Sequence, residues 1–381
     1  MRPAAVAGTG LVALAVAIGI GRFAFTPILP MMQEDAGVSV AAGGWLAAAN
    51  YVGYLAGALS IVWLRIGAST AVRAGLATIG VVTIGMGLAA GFAWWVVLRA
   101  IAGVASAWVL INASSWCLET LAPWRSRLLN STVFASVGVG IALAGTICLG
   151  LMAAHARSAT AWIVLGCVVV VLSAGIWRAF GARAPQAPRL TGGVRGPATW
   201  DPSWTRLVLC YGAFGFGYII PATFLPVMAK QVIRTPVVFG WSWPVFGVAA
   251  ALSAVALAVL PPTTNRRAWS TGHLVMALGI LLPVVRPSIV TVMLAALAVG
   301  GTFMIITMVG LQEAREAGGP HGTRLMAAIT AAFGLGQILG PVLVSSFAGH
   351  RHGLPAALAI ASSALAVSAY FLLRGGRSGP M

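Results

Sequence analysis

The chain has 381 residues, of which 60% are hydrophobic and only 8% are charged, so its composition cannot supply the polar surface that a soluble protein of this length needs. A lipid bilayer must therefore be its solvent. The net charge of +17 does not indicate a nucleic-acid partner, because the 23 basic residues are scattered along the chain and form no patch with interleaved aromatic side chains.

Twelve apolar stretches divide the chain, each close to the roughly 20 residues that a bilayer-spanning helix needs. The first begins near the N-terminus and has no convincing signal-peptide cleavage site, so we expect it to be retained as a helix. The sequence thus predicts an all-α polytopic membrane protein. The spans are predicted at 5–30, 41–64, 72–91, 93–117, 128–153, 159–180, 204–229, 238–260, 268–285, 288–311, 323–347 and 354–374.

The basic residues between the spans predict the orientation of the chain. If the N-terminus is cytoplasmic, most of these residues, including Arg65 and Arg125, fall inside. The positive-inside rule for short loops then places both termini in the cytoplasm, and we expect a bacterial inner membrane. The basic residues left outside are Arg157, Lys230, Arg234, Arg286 and Arg351.

An internal repeat indicates two halves. A shift of 196 residues superposes the glycines and the Leu-Pro-x-Met segment of 19–32 on those of 215–228. The same shift, without a gap, also matches predicted helix 2 with helix 8 and helix 5 with helix 11. A Pro-, Gly- and Arg-rich interval separates six spans from six. We therefore predict an N-terminal bundle at 1–180, a cytoplasmic linker at 181–203 and a C-terminal bundle at 204–381.

Several motifs carry a family resemblance. In the fourth predicted helix Arg99 is followed four residues later by Gly103 and then by small residues, and glycines recur at 138–145 and, with a Gly-Pro, at 334–341. Two six-helix halves with these motifs resemble the major facilitator superfamily. The loop at 59–67 keeps the Arg and Gly of that family's gating motif but has no Asp, so the usual gating salt bridge is not expected.

The resemblance is more specific at the start of the chain. The segment 19–32, GIGRFAFTPILPMM, followed by 44–54, GWLAAANYVGY, is similar to the YbfB/YjiJ branch of the superfamily. This resemblance spans the whole chain and implies no established substrate. It implies the superfamily fold, with transport by alternating access around a site near the middle of the membrane.

The resemblance also implies which residues line the central cavity. Helices 1, 4, 7 and 10 would present Arg22, Thr26, Arg99, Asn112, Tyr211, Phe214, Tyr218 and Thr302, and neighbouring helices would add Asn50, Tyr54, Trp243 and Gln337 as either substrate contacts or interhelical contacts. The expected gating or structural positions are Gly19, Gly21, Gly103, Gly138, Gly140, Gly336, Gly340 and Pro341.

Two arginines fall inside predicted spans. An unpaired Arg at mid-bilayer costs about 2.5–3.5 kcal/mol on insertion scales, so it usually faces a cavity or a partner. Arg22 has no acidic residue within its own predicted helix, and it either binds an anionic or polar substrate group through its planar set of donors or caps carbonyls or neighbouring helices structurally. Arg99 is either a structural or gating residue or a substrate contact. The repeat places Tyr218 opposite Arg22, which favours an amphipathic anion.

The acidic residues and histidines show no proton-coupling site. All six acids map to helix ends or loops, and His273, the only span histidine, lies near the end of its helix and is interpreted as a packing residue. No paired carboxylates, His/Cys metal cluster or Ser/His/Asp set occurs at membrane depth. The sequence therefore predicts neither an enzyme nor a bound metal or cofactor.

The sequence thus predicts a secondary active or facilitative transporter of a small organic solute, an organic anion or amphipathic metabolite. A multidrug-type exporter is the first alternative, favoured by the aromatic residues of helices 7 and 8, and a non-transporting membrane receptor or sensor is the second. The expected partners are a small-molecule substrate and membrane lipid, without nucleic acid, and we expect a monomer.

Overall fold

The computed structural model describes residues 2–63, 66–124, 126–181, 200–233, 235–260, 262, 264–350 and 352–374. Most of the predicted linker, 182–199, lies outside these residues, as do Arg65, Arg125, Arg234 and Arg351. The described chain is built from helices, with no strand among these residues. The predicted all-α fold is therefore confirmed.

Twelve long helices make up the described chain, and each coincides with one predicted span. In chain order they are α1 (Pro3–Asp35), α2 (Val40–Trp63), α3 (Ala68–Leu88), α4 (Phe92–Leu121), α5 (Arg127–Ala153), α6 (Ser158–Ile176), α7 (Pro202–Val232), α8 (Ser242–Val259), α9 (Asn265–Val285), α10 (Ile289–Gly318), α11 (Gly322–Phe347) and α12 (Gly353–Arg374). A single helical turn, Pro236–Phe239, precedes α8.

Length and hydropathy together mark ten membrane-capable segments among the described residues. One of them, Ile289–Phe347, is 59 residues long and contains both α10 and α11. The segment α2 is not among the ten, although its 24 residues are long enough to span a bilayer. The outward faces of the helices are apolar: Leu88 and Val285 are 72% and 76% exposed, as expected for side chains whose solvent is lipid.

The helix pairings of the first half recur in the second. α2 packs on α4, α4 on α3 and α3 on α6, and the corresponding pairs α8–α10, α10–α9 and α9–α12 are also in contact. α1 packs on α5 as α7 packs on α11. The recurrence agrees with the repeat in the sequence. The domain boundaries themselves stay a prediction.

Among the described residues, three helix pairs make the most extensive contacts between the halves: α1 with α7, α2 with α11, and α5 with α8. α5 and α8 approach closely because glycines face each other, and a Cβ on Gly247 would lie 2.8 Å from the carbonyl oxygen of Gly138. Near one end, the Lys230 ammonium lies 2.6 Å from the Glu34 carboxylate and donates to the carbonyl of Pro30. Ser345 on α11 donates to the carbonyl of Ala41 on α2.

The Lys230–Glu34 and Ser345–Ala41 contacts lie toward the ends of the helices that meet at 36–39 and 233–241, which we call the sealed end. Gly138 lies near the middle of α5. At the other end the halves are parted. Among the described residues, α4 makes no extensive contact with any helix from α7 to α12. The end contacts that join the halves at the sealed end therefore have no extensive counterpart on α4 among the described residues.

Removing the Glu34 charge tests what holds the sealed end. The Lys230 and Glu34 side chains are 23% and 61% exposed, and pairs this exposed contribute about 0.2–1 kcal/mol. We expect Glu34→Gln to increase opening of the sealed end by at most about fivefold. The measurement is the maleimide labelling rate of a cysteine at Val227, which is 3% exposed, in a background without native cysteines.

The matched control is Glu119→Gln. It removes an exposed carboxylate on the last turn of α4, at the end of the molecule opposite the sealed end. It should leave the labelling rate unchanged. Equal rates for Glu34→Gln and its parent would show that the ion pair does not keep this end closed.

Candidate functional site

The centre of α1 is wound as a π-helix over Ala15–Ile20. The N–H of Gly21 donates to Val16 (2.9 Å) and that of Phe23 to Ile18 (3.2 Å), each five residues back. Such bulges change the direction of the following carbonyls and are frequent at functional sites. Here the carbonyls of Gly21 and Arg22 accept hydrogen bonds from other helices.

Proline maintains this irregular stretch. Pro27 has no N–H to donate to the carbonyl four residues before it. The Phe23 carbonyl accepts instead from the N–H of Thr26, at 3.2 Å. The backbone around Arg22 is therefore loosened on both sides, by the π-helix before it and by the proline after it.

Arg99 uses its guanidinium to hold this backbone. It is 1% exposed, and its nitrogens donate to the carbonyls of Gly21 (3.4 Å), Arg22 (3.1 Å) and Leu46 (3.4 Å). Its guanidinium carbon lies 4.8 Å from the centre of the Phe25 ring. Every partner is a backbone oxygen or a ring of the protein, so the geometry assigns Arg99 a positioning role.

Asn50 on α2 completes the same junction. Its amide nitrogen donates to Gly21 (3.3 Å) and to the Arg99 carbonyl (2.9 Å). α2 and α4 are this close because Gly103 has no side chain, and a Cβ there would lie 2.7 Å from the backbone nitrogen of Tyr54. The side-chain oxygen of Asn50 is buried and has no partner among the described residues, which leaves one acceptor available.

Arg22 is 5% exposed and differs from Arg99 in its partners. Its Nη2 donates to Gln337 Oε1 at 3.0 Å, and its guanidinium carbon lies 4.2 Å from the Tyr54 ring centre and 5.1 Å from that of Tyr51. Its Nε is buried without a partner. Neither ion pair recorded among the described residues involves Arg22, so its charge is shared by an amide and aromatic faces.

Gln337 connects Arg22 to the second half. Its amide nitrogen donates to the Tyr218 hydroxyl. The Tyr218 ring stacks between Phe303 and Phe333, with centroids 4.7 Å and 5.5 Å away. A continuous polar path therefore runs from α1 through α11 to α7 and ends in a cluster of aromatic rings.

The other residues predicted to line the cavity make contacts either between the two halves or within one half. Thr26 donates to the carbonyl of Ala222 (2.9 Å) and joins the halves. Asn112 and Thr302 donate to carbonyls of their own helices, so the structure does not bring them into the group around Arg22. Tyr211 donates to Thr307 (3.1 Å) and Trp243 stacks on Phe246.

Phe214 belongs to the aromatic cluster, with its ring centre 5.2 Å from that of Tyr218. His273 lies behind it, fully buried, where its Nε2 accepts from Trp269 (2.9 Å). Of the positions predicted to be gating or structural, a Cβ would meet a neighbouring helix at Gly19, Gly21, Gly103, Gly138, Gly140, Gly336 and Gly340, and the Pro341 carbonyl accepts from Ser345.

Sequence reasoning missed Tyr51, Phe303 and Phe333. Tyr51 lies three residues before Tyr54 and Phe333 four residues before Gln337, so each pair shares a helix face. Helical spacing from a residue already selected was therefore the available signal. The described residues contain no group of three or more His, Cys, Asp or Glu side chains placed to hold a metal ion.

The twelve helices, the repeated pairings and the buried cation between the halves define a membrane transporter of the major facilitator type. A family model described as "Uncharacterised MFS-type transporter YbfB" matches residues 14–373. The chain belongs to this family, which confirms the resemblance seen in its sequence. A search of curated protein sequences finds no match.

Solved structures share the fold. A bacterial homologue of the human lysosomal transporter Spinster, inward-facing and unoccupied, has a TM-score of 0.69 at 14% identity, covering 98% of this chain and 95% of its own. A point mutant of the nucleoside transporter NupG scores 0.73 at 12%, covering 97% and 99%. The human organic anion transporter MFSD10 scores 0.63 at 16%, also covering 97% and 99%.

The two arginines should differ in their effect on stability. Arg99→Met removes three hydrogen bonds to backbone carbonyls. Gly21 keeps its bond from Asn50, and each carbonyl left unpaired costs about 1–3 kcal/mol. Arg22→Met removes one hydrogen bond together with an uncompensated buried charge, whose loss offsets part of the cost. We expect Arg99→Met to lower the melting temperature of the purified protein strongly and Arg22→Met to change it little.

Thermal unfolding of both variants in the same detergent is the measurement. Equal destabilisation, or greater destabilisation by Arg22→Met, would contradict the assignment of Arg99 as the positioning residue.

Proposed function

We propose that this protein is a secondary active or facilitative transporter that carries a small organic anion across the bacterial inner membrane by alternating access. The observation that supports this most is Arg22, a buried cation between the two halves with an unpaired Nε and no carboxylate partner among the described residues. A charge held inside a membrane protein at this cost is usually functional.

The proposed orientation makes the sealed end periplasmic. With both termini cytoplasmic, the positive-inside topology places 36–39 and 233–241 outside. The parted end then opens to the cytoplasm, and the structure represents an inward-open state. The similar Spinster homologue was captured inward-facing and unoccupied, which supports this interpretation.

The chemistry of binding follows from the position of Arg22 and its partners. Arg22 belongs to the first half, whereas Gln337 and Tyr218 belong to the second. An anion that accepts from Arg22 and from the Gln337 amide or the Tyr218 hydroxyl would contact both halves at once. Such a ligand stabilises the arrangement in which the halves approach each other around it, as alternating access requires.

The family and the fold are those of transporters. We also propose that the protein has no enzymatic activity, cofactor or nucleic-acid partner. It acts as a monomer surrounded by lipid. The neighbour MFSD10 is described as an organic anion transporter, which is consistent with an anion here, although the likeness at 16% identity is one of fold. A non-transporting receptor or sensor is the second alternative, and a measured flux of solute through the protein would exclude it.

The aromatic cluster favours one competing function, a multidrug-type exporter. Phe333 is half-buried at the edge of a buried cluster formed with Tyr218, Phe214 and Phe303, and a hydrophobic cation could contact its ring as well. An exporter of that kind would bind many lipophilic compounds irrespective of Arg22. The charge dependence of binding therefore separates the two functions.

Ligand-induced thermal stabilisation of the purified protein is the test. The panel contains organic anions, neutral metabolites and cationic drugs. Arg22→Gln is the test variant. Arg178→Gln is the control that loses the same charge, at an exposed position on the short helical turn that follows α6. We expect anions to stabilise the parent and Arg178→Gln but to lose their effect, at least about tenfold in apparent affinity, in Arg22→Gln.

Flux of the stabilising anions into proteoliposomes completes the test. Stabilisation by cations that is unchanged in Arg22→Gln would contradict the anion site and favour the exporter. Binding without flux would favour the receptor.

A further inference from the structure

We infer that the ligand of this site is a monocarboxylate that carries an aromatic ring. The inference rests on the proposed function and narrows it from organic anions to one chemical class. Three features of the described residues carry it: the number of available cations, the open edge of the Arg22 guanidinium, and the aromatic rings beside it.

The number of available cations limits the charge of the ligand to one. Arg99 lies close by, but its Nε, Nη1 and Nη2 all donate to backbone carbonyls and its plane packs near Phe25. Among the described residues, Arg22 is therefore the single cation at the junction with a donor to offer. A second negative charge on the ligand would be buried without a partner, which is strongly unfavourable in a site this enclosed.

The open edge of Arg22 fits a carboxylate. Nε and Nη2 lie on the same edge of a guanidinium and together bind the two oxygens of a carboxylate. In this structure Nη2 donates to the amide oxygen of Gln337 at 3.0 Å, while Nε on that edge is buried and unpaired. The amide oxygen occupies the place of one carboxylate oxygen, and Nε is an unused donor for the other.

Binding a carboxylate leaves Gln337 with a partner. Its amide nitrogen already donates to the Tyr218 hydroxyl, and an amide displaced from Arg22 can turn its N–H toward the incoming carboxylate. On loading, Arg22 and the Gln337 N–H therefore gain hydrogen bonds to the carboxylate, and Gln337 Oε1 gives up the one that it accepts from Arg22 Nη2.

The aromatic rings beside the polar group favour a flat ligand. Tyr218 stacks against Phe333 at an interplanar angle of 7° and against Phe303 at 24°. Tyr54 and Phe333 are both half-buried. The Tyr54 ring centre lies 4.2 Å from the Arg22 guanidinium carbon, and Phe333 stacks on Tyr218, whose hydroxyl accepts from Gln337. A ring attached to the carboxylate extends this stack, and aromatic pairs contribute beyond the apolar area they bury.

The test is a series of compounds that differ in one property each. Benzoate is the reference probe, cyclohexanecarboxylate removes aromaticity, acetate removes the ring, phthalate adds a second charge and benzamide removes the charge. Affinities for the purified full-length protein are measured by calorimetry or thermal stabilisation, and flux is measured by counterflow in proteoliposomes. We expect benzoate to bind about three- to tenfold more tightly than cyclohexanecarboxylate, and acetate, phthalate and benzamide to bind at least about tenfold more weakly than benzoate.

Two variants separate charge from ring recognition. Phe333→Leu keeps an apolar side chain of similar size, and we expect it to retain carboxylate binding but to lose the preference for benzoate over cyclohexanecarboxylate. The matched control is Phe371→Leu, which changes a half-exposed ring on α12 away from the site and should keep that preference. Arg22→Gln should lose binding of every carboxylate in the series.

The outcomes distinguish failure of this inference from failure of the proposed function. Binding that depends on Arg22 but shows no aromatic preference, or that favours phthalate, overturns the aromatic monocarboxylate and leaves an anion transporter. Binding that is independent of Arg22, or the absence of binding by every carboxylate, overturns both.

Discussion

The centre of the molecule depends on the hydrogen bonds that Arg99 and Asn50 donate to the carbonyls of Gly21 and Arg22. Those carbonyls are accessible because α1 changes from a π-helix to an α-helix at this point. Without outside donors, buried carbonyls would be left unpaired in a membrane interior, which costs several kcal/mol by order of magnitude. The irregular helix and the fixed arginine therefore require each other.

This arrangement frees Arg22 for another task. The backbone of Arg22 is held by Arg99, so its side chain is not needed to stabilise the helix and extends to Gln337 in the other half. The two arginines thus have different roles: Arg99 donates to the backbone of Arg22, and the Arg22 side chain donates to the other half. The first fixes the position of a carbonyl, and the second is the charge that the fixed backbone presents between the halves.

The repeat explains why the two halves meet here. Thr26 donates to the carbonyl of Ala222, and these residues are separated by 196 positions, the offset of the repeat. Equivalent residues that contact each other lie next to the axis relating the halves. Arg22 and Tyr218, one turn earlier, face each other across that axis, and Gln337 connects them. The repeat position of Gln337 is Ile141, so this link is the feature that makes the two sides chemically different.

Most of the fold was predictable because lipid imposes a length and a composition on each span, and all twelve spans matched helices. The opposition of Arg22 and Tyr218 was predictable from the repeat. The roles of Arg99 and Gln337 were not, because they depend on side-chain direction and on helix rotation, which hydropathy does not encode. Asn112 and Thr302 were selected because the family resemblance places their helices around the central cavity, yet their side chains bond their own helices.

The polar path through Arg22 also explains how one site can serve two states. An empty site must keep a cation buried, and here an amide oxygen and the faces of Tyr54 and Tyr51 share that charge without neutralising it. A fixed carboxylate partner would compensate Arg22 fully and compete with any anionic ligand. Because an amide is the weaker partner, the proposed anionic ligand would displace it at a small cost and supply the missing charge itself. The binding free energy is then greatest when both halves contact the ligand, which is the condition under which a carrier moves its site from one side of the membrane to the other.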